Sequence, residues 1–113
     1  MKQSTGEPDA FKLTLSGRWE YQPILTGRPT SHGMRSGRVA LARGEESGRH
    51  STRSHEEVLI ILEGSGSAHL AGRDEFHVRA GDVLYVPPHT EHNVVGGADG
   101  LKYVYVVAPV EDA

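Results

Sequence analysis

The chain has 113 residues, no cysteine, and 12 Lys plus Arg against 15 Asp plus Glu, a formal charge of −3. That length holds one domain, and the missing thiols exclude disulfides, zinc–thiolate sites, iron–sulfur ligation and thiol nucleophiles. The mild acidity argues against nucleic acid as a partner and no apolar run approaches the roughly 18 residues of a membrane span, so a cytoplasmic protein binding neither is expected.

Residues 1–10 are polar and read as a flexible tail, leaving 11–113 as a single domain. Phe11–Leu15 alternates with the period of a strand, and Arg18–Gln22 reads as a second strand stopped by Pro23. Thr26–Gly37, rich in Gly and Arg, reads as a loop. A strand over Val39–Leu41 ends by Gly44. Glu57–Leu62 is β-branched and apolar on both faces, with Gly64-Ser-Gly66 as its hairpin turn. Ser67–Ala71, Glu75–Arg79, Val83–Val86 and Glu91–Val95 follow, separated by Gly72-Arg-Asp, Ala80-Gly-Asp and Pro87-Pro88. Gly96–Gly100 turns the chain into a last strand, Leu101–Ala108. Nowhere do apolar residues keep helical spacing. Eight to ten short strands at this spacing predict an all-β antiparallel sandwich or barrel. The two-sided run Val58–Leu62 predicts an outer face that also packs, and a homodimer is expected.

Four of the seven histidines flank the two strands that read as most buried. His50 and His55 precede the Glu57 strand, and His89 and His92 follow the Val83 strand. In a chain without thiols, imidazole and carboxylate are the ligands left for a divalent transition metal. On an extended strand His55 and Glu57 share a face. Glu57 heads an apolar run, where an unpaired carboxylate is costly, so it needs a partner such as a cation. His89, after Pro87-Pro88, is expected in solvent, and His77 on the outer face; His69 fits either face, and His32 has no assignable role.

These residues resemble the two motifs of the cupin superfamily. Gly44, His50, Glu57 and Gly64 stand at the spacing of its first motif, and Gly81, Pro87 and His92 at that of its second. Thr52 replaces the second histidine of the first motif, His89 stands where the family has Gly, and Gly96 replaces the closing Asn. The resemblance implies a jelly-roll (double-stranded β-helix) barrel and carries the metal-ligand role to His50, Glu57 and His92. His55 is the candidate substitute for the missing histidine, making the expected metal set His50, His55, Glu57 and His92. The metal would be Fe, Mn, Zn or Ni, and the smaller set of two histidines and one carboxylate suits non-haem Fe(II).

Six arginines between Arg28 and His55 face only Glu45 and Glu46. They read as a solvated face, or more sharply as a carboxylate clamp built on Arg35 or Arg38. Arg38, Tyr103 and Tyr105 are the candidate pocket residues, the tyrosines sharing one face of the last strand. No Ser-His-Asp arrangement with an oxyanion hole is visible. The expected function is divalent-metal-dependent catalysis of the isomerase, lyase or dioxygenase type on a small carboxylated or hydroxylated metabolite. The alternative is non-catalytic binding of a small molecule or sugar.

Overall fold

Two strands dominate the computed structural model, which describes residues 7–111. They are β4 (His55–Leu70) and β7 (Glu91–Pro109), and each carries a run of glycines where the sequence suggested a reversal. The other strands are β1 (Gln22–Thr26), β2 (Arg35–Leu41), β3 (His50–Ser51), β5 (Phe76–Arg79) and β6 (Val83–Val86). All pairings are antiparallel. No helix of the described residues is long and apolar enough to cross a membrane. Residues 1–6 of the expected tail, and 112–113 of the expected domain, lie outside the described part.

Gly64-Ser-Gly66 is therefore a bend inside β4 rather than a hairpin, and Gly96–Gly100 a bend inside β7. A Cβ on Gly64 would collide with the Gly100 carbonyl, and one on Gly66 with the Val95 carbonyl. The glycines thus serve a close approach of two strands, which a sequence cannot tell from a turn. Register shifts between Ile61 and Glu63 and between Gly64 and Gly66 mark the same corner.

Each long strand passes at its bend from one layer to the other. The first halves of β4 and last half of β7 join β1, β2 and β6 in one sheet. The other halves join β3 and β5 in a second. This is the jelly-roll barrel expected. Between the layers lie Leu59, Ile61, Leu84, Val86, Leu101 and Tyr103 from the first sheet and Ala68, Leu70, Val78 and Val94 from the second. Burying each large aliphatic side chain contributes about 1.5–3 kcal/mol. Alternation puts Ile60, Leu62, Val83 and Tyr85 on the outside of the first sheet, exposed, so its outer face is apolar as the sequence suggested.

Three local expectations fail. Phe11–Leu15 forms no strand. The segment after it is held by a side chain instead: the Arg38 guanidinium donates to the carbonyls of Ser16 and Arg18 and lies 4.7 Å from the Trp19 ring. Pro23 does not stop a strand but lies within β1, an edge strand, where a missing N–H is tolerated. The Gly-rich loop ends early, since β2 begins at Arg35.

Candidate metal centre

Strand pairing brings the site together from both layers. His50 on β3 lies opposite His92 on β7 in the second sheet. Glu57, paired with Val86 and Val107, belongs to the first sheet. Across the gap the His92 Nε2 lies 3.0 Å from a Glu57 carboxylate oxygen, both side chains buried. The ring centroids of His50 and His92 are 4.3 Å apart. Among the described residues, His50, Glu57 and His92 are the one group whose ligand atoms all lie within 4.8 Å of one another.

Each imidazole is oriented by the backbone. His50 Nδ1 donates to the Gly48 carbonyl at 2.8 Å and His92 Nδ1 to the Thr90 carbonyl at 3.1 Å. A carbonyl only accepts, so both Nδ1 atoms carry hydrogen and both Nε2 atoms face the site. Burial, the largest influence on His92, opposes a charge there. Its hydrogen bonds to Glu57 and Thr90, with the Glu57 charge, outweigh that cost, and the imidazole holds its proton above the ordinary histidine range. The same Nε2 position fits a divalent cation, which takes the proton's place against the carboxylate. Two imidazole nitrogens and a carboxylate oxygen are a donor set that zinc, iron, nickel and manganese accept.

The structure leaves His55 out of this group, correcting the four-residue set. His55 shares Glu57's face but lies one step further along β4, about 6.7 Å, at the strand's outer end opposite Pro109. Thr52 does not replace the missing ligand either. Its hydroxyl donates to the Pro87 carbonyl at 2.7 Å and accepts from the Thr90 N–H at 3.1 Å, tying the two motif segments together.

A cavity of about 470 Å³ opens over the three ligands. Tyr103 and Tyr105 line it, but Arg38 does not. Parity decides this: Arg38 projects with Ser36 and Ala40 to the outside of β2, whereas Arg35 shares the inner face with Val39 and Leu41. Burial first, then the Glu57 charge, pushes the Tyr103 phenol up to about 12, with Ser47 pulling the other way. Burial, followed by its contact with Tyr21, raises Tyr105 as well. Both phenols stay neutral donors at physiological pH.

The sequence reading missed two supporting residues, Tyr21 and Asn93. Tyr21 lines the cavity and meets the Tyr105 hydroxyl at 3.1 Å. Asn93, buried beside His92, accepts from the Gly48 N–H at 3.1 Å and donates to Glu46. It thereby fixes the loop whose carbonyl orients His50. Its adjacency to His92 was the only signal available.

Barrels of this topology with imidazoles and a carboxylate gathered at one mouth form a recognisable class, that of the metal-binding cupins. The cupin domain profile matches residues 37–107, more than half of the chain, and the protein belongs to that family. A dimethylsulfoniopropionate lyase of Ruegeria pomeroyi is 38% identical over 60 residues, 50% of this chain and 39% of the relative. The chain therefore spans well under half the length of that curated relative. A cupin protein from Bacteroides fragilis superposes with a TM-score of 0.73 at 19% identity, covering 90% of this chain and 86% of the other. A protein described as a predicted oxalate decarboxylase from Thermotoga maritima gives 0.67 at 20% identity, covering 88% and 100%. Likeness at those identities shows the fold alone.

Proposed function

We propose that the chain is a metal-dependent enzyme acting on a small carboxylated or hydroxylated molecule, held in the cavity above His50, Glu57 and His92. The observation that carries this reading is the convergence of the two Nε2 atoms and a buried carboxylate, each imidazole locked by its own carbonyl. A bound divalent cation supplies Lewis-acid chemistry and, with three protein ligands, keeps positions free for a substrate. His50 and His92 act as neutral Nε2 donors, and Glu57 balances charge from the opposite layer. Tyr103 and Tyr105, kept protonated, offer hydrogen bonds to substrate oxygens rather than acting as bases. Leu41, Leu59 and Val94 form apolar wall around them and limit water. Among lyase, isomerase and dioxygenase chemistries, the resemblance to a dimethylsulfoniopropionate lyase supports the lyase class.

Elemental analysis of untagged protein tests the reading. The expected result is about one divalent transition metal per chain, lost in His50→Ala and His92→Ala. Untagged protein that takes up no stoichiometric metal when titrated with Zn²⁺, Mn²⁺, Ni²⁺ and Fe²⁺ overturns it.

A further inference from the structure

The register of the first sheet sets Arg35, Val107 and Glu57 side by side in one rank, on β2, β7 and β4. All three line the cavity. Two strand spacings separate Arg35 from Glu57 along this rank, about 10 Å between Cα atoms, with apolar Val107 between them. Arg35 has no ion-pair partner among the described residues. The only carboxylates lining the cavity are already engaged, Glu57 with His92 and Glu46 with Asn93. With a divalent cation bound, three positive charges face two negative ones, so the loaded cavity favours an anion.

Two hydroxyls, those of Tyr21 and Tyr105, line the same cavity as this guanidinium. Tyr105 lies over Gly37, where any Cβ would come within 2.8 Å of its ring, so the missing side chain at position 37 makes room for the tyrosine. Its hydroxyl meets that of Tyr21 at 3.1 Å. One hydrogen bond between two phenols uses one hydrogen, and the other remains to donate to a ligand oxygen. Arg35 is near enough to Tyr105 to favour its anionic form. Guanidinium and phenol together match a carboxylate, which accepts a two-pronged bond from arginine and a further bond from a hydroxyl.

We propose that Arg35, assisted by the Tyr21–Tyr105 pair, is the carboxylate anchor of the cavity. The ligand is then a short-chain carboxylic acid with a second oxygen donor directed at His50, Glu57 and His92. Arg35 determines specificity and is not a ligand of the cation. The proposal rests on the metal-dependent reading above, and its test separates the two.

Zn²⁺-loaded protein is titrated calorimetrically with malonate, succinate and 3-hydroxybutyrate, and with the neutral counterparts malonamide, succinamide and 1,3-butanediol. At least one acid should bind roughly tenfold to a hundredfold more tightly than its neutral counterpart, the range for hydrogen bonds to a charged group. Arg35→Gln should abolish that preference while Zn²⁺ affinity stays within about threefold of the parent. Arg35→Lys should restore part of it, because the charge returns without the planar fork. Equal binding of acid and neutral compound, no binding by any acid, or a preference that survives in Arg35→Gln overturns the proposal. Failure of Zn²⁺ uptake instead overturns the metal reading. The acid titration, run on metal-free protein, then decides the anchor by the same criteria.

Discussion

The molecule contains two groupings of two histidines with one glutamate, and they behave differently. At the mouth, Glu57 meets His92 with side chains 9% and 3% exposed. On the outside of the second sheet, Glu75 meets His69 at 3.0 Å and His77 at 3.6 Å, with His77 84% exposed. The donor types are identical. In the outer grouping no carbonyl of the described residues fixes either imidazole, the three ligand atoms do not converge within 4.8 Å, and water competes for every charge. Ligand identity alone does not make a site; backbone carbonyls that set ring orientation, and burial that removes water, make the difference.

The largest expected effect lies at the buried group. Glu57→Ala should abolish measurable metal uptake and destabilise metal-free protein by about 1.5–3 kcal/mol, because the buried His92 imidazole loses its hydrogen bond to a charged carboxylate. Urea denaturation with a parallel metal titration measures both. Thr52→Val should come next, at about 1–3 kcal/mol, since it leaves the Pro87 carbonyl and Thr90 N–H without their buried partner. Its metal affinity should fall far less than that of His92→Ala, and an equal fall would make Thr52 part of the ligand set.

The pH dependence sharpens the contrast further. The His92 pKa is raised, so its contribution to metal-free stability is fully present below about 6.5 and is lost as pH rises through the folded value. A cation competes with the same proton, so metal-induced stabilisation should grow over that window, and thermal melts across pH 5–9 with and without Zn²⁺ would show opposite slopes. The smallest effect belongs to the outer grouping: Glu75→Gln should change stability by about 1 kcal/mol or less and leave metal uptake untouched. Loss of uptake in that variant would mean the outer residues hold the cation.

Much of the mouth was legible in the sequence because motif spacing is a property of the chain. His50, Glu57 and His92 keep their spacing, and the structure brings them together. What was not legible depends on parity and on layers. Arg35 and Arg38 differ by an odd number of positions, so β2 sends one inward and the other out, and without the strand's start the choice between them stays open. His55 has the right parity but the wrong rank along β4. The Gly64 and Gly96–Gly100 bends imitate turns in composition, because glycine serves both a reversal and a close strand crossing. Phe11–Leu15 alternates like a strand yet pairs with none; strand edges, unlike periodicity, belong to the tertiary fold.

The division of the three ligands between layers has a kinetic consequence. His50 and His92 belong to one sheet and Glu57 to the other. A cation held by all three fastens the layers at the mouth, so parting them breaks a coordinate bond. Opening of the barrel at the mouth then requires release of at least one of the three side chains. Under the proposed function, amide exchange in Glu91–Val95 should slow on metal loading, and unchanged exchange would mean that the cation does not fasten the layers.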